Sequence, residues 1–452
     1  MPEDETIASQ ANPTRTGRIV RDVVDGSGLY FSRMVTAGPY VFMASTAVDA
    51  VGRPADEAAV EPPYHLSPPA HVVRQAEYIF DRYARGLTEL GSSLDDLLQV
   101  EQFTPRKVYA DGYIDTRSRL IPHRRPTTAL ACTGPLEPGG CVINTTGIAV
   151  IPADGYAKEI HAGADEGDGL ATNWADLGDA FADEGAFSEV VTAGPYVFVT
   201  GDVAVDWITG DIEERVKVPD WIWLGSEVRN EAEFLLTRLE AYLEWVGSTL
   251  DDVVHTTVFL NDLGDLFELD RVWQRRFKRD PPARTIVPVR GLGVPRFEGV
   301  DLAHREKGVR MEQLPQAIRP GFGAVKEVVG TGARPLAHES QAVKAGPLLW
   351  ISQQYAVGQG ERRVTATVRD QLDEIFGTLD EICRAAGTTL ANLVRLRAFV
   401  TDPQDAYAVY TALKEAVPSD PPTVAVTAVP GPLLVPGALV AVDGVAFVPE
   451  AA

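Results

Sequence analysis

The segment Val35-Thr-Ala-Gly-Pro-Tyr-Val-Phe42 recurs unchanged as Val191-Thr-Ala-Gly-Pro-Tyr-Val-Phe198, and a looser copy stands at Val343-Lys-Ala-Gly-Pro-Leu-Leu-Trp350. Three copies about 150 residues apart are too widely spaced for solenoid repeats and suit one small domain written three times. The chain length of 452 residues agrees. What differs among the copies is therefore the best guide to function.

Each copy follows the order β-β-α-β-α-β-β. In the second, Val190 to Val199 reads as a hairpin around Gly-Pro. Glu227 to Val246 carries Ala232, Leu235, Leu236, Leu239, Leu243 and Val246 at helical spacing, and Gly247 stops it. Val253 to Leu260 reads as a buried strand and Leu266 to Phe277 as a second helix. The last strands are expected at Thr285 to Val289 and Gly299 to Ala303. The first copy places its long helix at about 67–90 and a strand at 97–103, the third a helix at 368–386 and a strand at 393–400. One sheet with two helices on one face is an α+β layer. The units are expected at 18–152, 186–308 and 336–450, joined by linkers 153–185 and 309–335. The first linker has room for a short helix at 173–181.

Charge and composition narrow the partners. A net charge of −23 argues against sequence-independent nucleic-acid binding, which needs a basic surface. No apolar run approaches the roughly 20 residues that cross a bilayer. Cys132, Cys141 and Cys383 are too few and scattered for a disulfide framework or a metal cage, and the acidic N-terminus lacks the marks of a signal peptide. The expectation is a cytoplasmic protein with no metal.

The second copy resembles the Rid family, the YjgF-type reactive-intermediate deaminases. The resemblance rests on Ala193-Gly194, Val197-Phe-Val-Thr-Gly201, Gly247-Ser-Thr-Leu-Asp-Asp-Val-Val254, Thr256-Thr-Val-Phe-Leu-Asn-Asp262 and Pro282-Ala-Arg284. Copies one and three are similar through Gly91-Ser-Ser-Leu-Asp-Asp-Leu97 and Gly387-Thr-Thr-Leu-Ala-Asn-Leu393. Family members are typically homotrimers of small chorismate-mutase-like subunits with ligand clefts between neighbours. The resemblance thus implies a covalent pseudo-trimer, with sheets inside and helices outside, and leaves room for further homo-oligomerisation.

It also implies a site. Arg284 would hold a substrate carboxylate through its planar fork, and a final-strand acid would handle water. Asp301 is the candidate acid in copy two, with Asp443 in copy three and Asn144 and Thr146 in copy one. Copy one has Thr128 and copy three Val424 where copy two has Arg284, so one cleft of three keeps the Arg. Thr200 and Gly201 stand where family members present Ser-Gly; Ser352 is the counterpart in copy three. Phe187 and Glu339 fall near the usual hairpin Tyr, and Asp270 where an Asn is usual. His338 beside Glu339 could form an acid/base pair. The plain alternative for Arg284 is an ion-paired interface residue, and for Asp301 a cleft-edge carboxylate.

The leading expectation is a cofactor-free enzyme that hydrolyses an imine or enamine bearing a carboxylate, releasing ammonia. Two alternatives stay open: a cyclase, tautomerase or hydrolase of secondary metabolism on the same scaffold, and a non-catalytic ligand-binding or scaffold protein. Ribonuclease activity, proposed for some relatives, suits the acidic surface poorly.

Overall fold

In the computed structural model the repeated segment closes a hairpin in every unit, with Gly38, Gly194 and Gly346 at φ of 59°, 56° and 56°. Only glycine enters that left-handed region without strain, which accounts for the invariant turn. The structure describes residues 18–161, 187–206, 212–219, 221–223, 225–292, 309–332, 335–357 and 366–449. The expected helix at 173–181, the expected strand at 299–303 and Asp301 itself lie outside them.

The first unit contains β1 (Val20–Gly26), β2 (Leu29–Ala37), β3 (Tyr40–Thr46), α1 (Pro68–Glu89), β4 (Leu97–Thr104), α2 (Ala110–Leu120), β5 (Thr127–Cys132) and β6 (Asn144–Val150). The second opens with β7 (Glu159–His161) and continues with β8 (Val190–Ala193), β9 (Tyr196–Val199), β10 (Asp202–Val203), α3 (Glu227–Glu244), β11 (Val253–Leu260), α4 (Leu266–Arg276), β12 (Ala283–Pro288), β13 (Gly291–Leu292) and β14 (Met311–Ile318). The third has β15 (Lys326–Val329), β16 (Ala342–Ala345), β17 (Leu348–Gln354), α5 (Val368–Ala385), β18 (Leu393–Val400), α6 (Ala406–Ala416), β19 (Thr423–Ala428) and β20 (Val440–Phe447).

The sheets share one core order: β2-β3-β6-β4-β5, β8-β9-β14-β11-β12 and β16-β17-β20-β18-β19. In each, the two strands that flank the second helix pair in parallel and the rest pair antiparallel. Two stretches read as linkers hold strands instead. β7 adds to β8, and β14 sits between β11 and β9. Polar Glu312, Gln313 and Gln316 together with Pro315 disguise β14 in the sequence. Proline is tolerated there because β14 pairs with β10 only through residues 312–313 and with β9 only through 316–318, leaving Pro315 in the gap.

Helices cover one face of every sheet, giving three helix-side cores. The other faces meet each other along a pseudo-threefold axis. Residues at one register of β4, β11 and β18 converge on it. Phe103 lies 6.2 Å from both Phe259 and Phe399, ring centre to ring centre. Below them Arg397 donates to Glu101 at 2.6 and 2.7 Å, to Asp443 at 2.5 Å and to Thr257 at 3.1 Å. His255 is on this axis too, bonded to Gln316 at 2.8 Å; burial, then the nearby Arg397, pushes its imidazole down to about 3, so it is neutral.

The ring closes head to tail, and the repeated segment helps close it. Tyr40 donates to Ala193 O of the next unit at 2.8 Å, and Tyr196 likewise to Ala345 O. Leu348 has no hydroxyl, so the third copy does not continue the series.

Candidate functional site

Every ring junction is built alike. Ser32, Ser188 and Ser340 occupy one register and donate their backbone N–H to Pro422, Pro126 and Pro282 at 3.0, 3.1 and 3.2 Å. Their hydroxyls donate to the carbonyls of Pro421, Arg125 and Pro281 at 2.6, 2.7 and 2.5 Å. Each junction therefore carries the start of β5, β12 or β19 against the hairpin of the following unit. The three clefts differ in what Thr128, Arg284 and Val424 find there.

Arg284, on β12, is fully buried between units two and three. Its backbone N–H donates to Ser352 Oγ at 2.8 Å. Nη2 donates to Asp270 on α4 at 2.6 Å, and Nε to Glu339 of the third unit at 3.2 Å. The guanidinium lies 5.0 Å over the Trp273 ring. Nη1 is buried and has no hydrogen-bond partner. Arg284, Asp270, Glu339 and Ser352 thus come together as expected, but the two-pronged carboxylate clamp does not: two of the three nitrogens already hold carboxylates. Burial pushes the Glu339 carboxyl up, Arg284 counteracts it and Asp270 adds to it.

Gln353 of unit three also reaches across this junction to unit two. Its Oε1 accepts from Ile286 N at 3.3 Å and from the Tyr355 hydroxyl at 2.9 Å, while Nε2 is buried without an acceptor. Two buried donors, one from each unit, are therefore left unsatisfied at this junction, and buried polar groups are normally paired. His338 does not join Glu339 in an acid/base pair. Its ring contacts Phe277 O at 2.6 Å and its N–H donates to Asp270 at 3.3 Å. Asp443, the acid on the final strand of unit three, faces the axis and is held by Arg397 and by Thr285, whose hydroxyl donates at 2.5 Å.

Thr200 and Gly201 belong to a different cleft, between units one and two. Gly201 N donates to Thr128 O at 2.7 Å and Thr200 Oγ1 to the same oxygen at 3.1 Å. Phe187, one residue before Ser188, stands at this same junction. This cleft lacks an Arg at the strand position, as expected, but it has one from the helix. Arg117, on α2 at the register of Trp273, donates from Nη1 to Gln102 at 3.2 Å and to the Thr128 hydroxyl. Helix and strand have exchanged roles: unit two has Trp273 with Arg284, unit one Arg117 with Thr128.

Sequence reasoning missed Glu312. This β14 residue is 4% exposed, and burial pushes its carboxyl well above the usual range, reinforced by Asp202 and Glu101. It packs on Gly201: a Cβ there would lie 2.1 Å from Glu312 Oε1. Met311-Glu-Gln-Leu as a counterpart of Val440-Ala-Val-Asp was the available signal, masked by Pro315. The third cleft, between units three and one, is apolar, with Phe31, Tyr410, Leu413 and Val424 in a single core.

One surface hollow, of about 340 Å³, opens at this third junction beside Tyr30 and Tyr410, and others lie away from the junctions. One of about 730 Å³ between the start of α3 and α4 gathers Arg229, Arg271 and Arg310, each already paired with Glu268 or Asp265. Among the described residues there is no group of His, Cys, Asp and Glu that could hold a metal, and no helix is long and apolar enough to cross a membrane.

Comparison with known proteins places these observations. The sequence profile of Endoribonuclease L-PSP matches residues 177–298 and 331–448. A RutC family protein of Pyrococcus abyssi is 30% identical over 108 residues, covering 24% of this chain and 76% of that protein. Protein DfrA of Myxococcus xanthus is 32% identical over 120 residues, 26% of this chain and 82% of its own length. Among solved structures, RidA of an Antarctic Psychrobacter is 22% identical, spans 27% of this chain and 98% of its own, and has a TM-score of 0.25. A chorismatase is 13% identical, spans 78% of this chain and 93% of its own, and has a TM-score of 0.46.

Proposed function

The chain belongs to the Endoribonuclease L-PSP family, the Rid proteins, and from that premise we propose that the Arg284 cleft is the active site of a small-molecule hydrolase remade from the usual deaminase clamp. Its substrate is an imine, enamine or related C=N compound with an oxygen acceptor close to the reacting carbon. The observation that carries the reading is the buried Nη1 of Arg284, unsatisfied at the junction of units two and three, where Nε2 of Gln353 from unit three is also unsatisfied. Two such donors suit a carboxylate or carbonyl oxygen of a ligand.

Glu339 supplies the proton chemistry. Its raised carboxyl holds a proton more readily than an ordinary glutamate, so it can protonate an imine nitrogen. As water adds to the carbon, the resulting Glu339 carboxylate takes the water's proton and a carbinolamine forms. The same proton then goes to nitrogen, the Glu339 carboxylate takes the hydroxyl proton as the C–N bond breaks, and ammonia leaves as the carbonyl forms, with Glu339 protonated again. Trp273 beneath the guanidinium and Asp270 beside it keep Arg284 in place.

Keto-acid release from a 2-imino acid generated in situ tests this with wild type, Arg284→Ala and Glu339→Gln. Loss of a positioned acid/base should lower the rate by about 10²-fold or more. Equal rates for all three proteins at the uncatalysed level would sink the hydrolase reading. Ligand binding without turnover would then remain, a second reading favoured by the carboxylates already on Arg284.

A further inference from the structure

We propose that Glu339 is an internal counter-ion that selects ligands of the Arg284 cleft by charge, so that a carboxylate ligand enters together with one proton and an uncharged ligand enters without one. This rests on the reading of the cleft as the ligand site and adds a specificity-determining residue to it.

The charges are countable. One guanidinium faces two carboxyl groups, Asp270 at 2.6 Å from α4 and Glu339 at 3.2 Å from the third unit. The side chain of Glu339 is 9% exposed and that of Arg284 is 0% exposed, so solvent screens little. A ligand carboxylate on Nη1 would put a third negative group on one positive one. Like charges this close do not all ionise together. Glu339 is the member free to give way. Asp270 is also held by His338 N–H at 3.3 Å, whereas no second donor to Glu339 stands among the described residues. The other groups around it are the Tyr355 hydroxyl, engaged with Gln353, and the His338 ring, turned to Phe277 O.

The register comparison supports this assignment. Glu339 stands where the other junctions have Phe31 and Phe187, while the junction itself is made by the next residue, Ser340, as in all three units. The carboxyl is therefore not needed to build the ring. It distinguishes this cleft from the other two.

Calorimetric titration of the full chain with pyruvate, and with pyruvamide as its uncharged analogue, tests the proposal from about pH 5.5 to about pH 8.5. Proton-linked binding should weaken pyruvate about tenfold per pH unit above the Glu339 titration and leave pyruvamide unchanged. Titration in buffers of different ionisation enthalpy should count about one proton taken up per pyruvate. Glu339→Gln, with its thermal transition compared with that of wild type, should abolish slope and uptake and bind pyruvate more tightly at high pH. A pH-independent pyruvate affinity, the same slope in Glu339→Gln, or no binding of either probe to wild type overturns the proposal. Keto-acid release is measured separately. Linked proton uptake without turnover refutes the hydrolase and leaves charge selection standing; turnover without linkage does the reverse.

Discussion

Replacing Arg397 by Met should invert how stability responds to pH. The guanidinium is 1% exposed and gives two bonds to Glu101 of unit one, three to Asp443 of its own unit and one to Thr257 of unit two. Methionine keeps most of the apolar stem and removes every one of these donors. Breaking a buried ion pair by deleting one partner costs about 3–5 kcal/mol, because the abandoned charge stays in a poor solvent. Thr285 and Thr146 still donate to Asp443 and Glu101, so the two stranded carboxylates should not double that figure. In wild type Arg397 holds Asp443 below the usual range despite burial. That contribution is present above the unfolded carboxyl pKa of about 3.9 and is lost as pH falls through the lower folded value. In Arg397→Met burial dominates and the folded pKa rises above the unfolded one. Stability is then complete below about pH 3.9 and declines as pH rises through the new folded pKa, so the deficit against wild type widens toward neutrality. Urea unfolding followed by tryptophan fluorescence and far-ultraviolet dichroism, at several pH values, measures it. Coincident transitions are required first, since a three-unit chain need not unfold in one step. Replacing all three by apolar residues, Glu101→Met, Arg397→Met and Asp443→Leu, should recover most of the loss. A single-variant deficit under about 1 kcal/mol, or one that shrinks as pH rises, would refute the reasoning.

Three further outcomes can be checked on the purified chain. Gly201→Ala should lower stability by about 1–3 kcal/mol in denaturant titration, because the new methyl would sit 2.1 Å from Glu312 Oε1 and 2.8 Å from both Ala129 Cβ and Thr128 O. Ser340→Ala deletes one hydroxyl bond at the junction of units two and three and keeps the backbone bond to Pro282, so the expected cost is about 0.5–1.5 kcal/mol. Glu231 is pushed up to about 8 by burial, so the stability tied to its proton is full below the unfolded carboxyl pKa and is lost as pH rises through about 8. Stability curves of Glu231→Gln and wild type should therefore diverge in the variant's favour over that interval, and parallel curves would contradict the assignment.

Much of the scaffold was legible because local rules governed it. The strand expected at Val253 to Leu260 is β11 to the residue, and the helix expected to begin at Glu227 does so. Apolar spacing and the Gly247 stop needed no tertiary information. β14 was not legible, because Pro315 and three polar side chains contradict a central strand until one sees that Glu312 and Gln316 face a cleft and an axis built by other units. The candidate site divided in the same way. Pro-Ala-Arg marked Arg284, but nothing local to it announces Glu339, whose carboxylate arrives from 55 residues away. Likewise Arg117 reads as an ordinary late-helix arginine until its register against Trp273 is known.

The threefold repeat, the hairpin glycine and the order of elements follow from the sequence alone, since they depend on backbone sterics and periodicity within each copy. Which copy faces which, and hence that Arg284 meets Glu339 while Thr200 and Gly201 meet Thr128 and Arg117, was decided only by tertiary structure. Closing the ring sets the hairpin of each unit against the preceding unit in the cycle, so charges far apart in the chain share one buried junction. A guanidinium fork that looked free in the sequence is, in the folded chain, already bound.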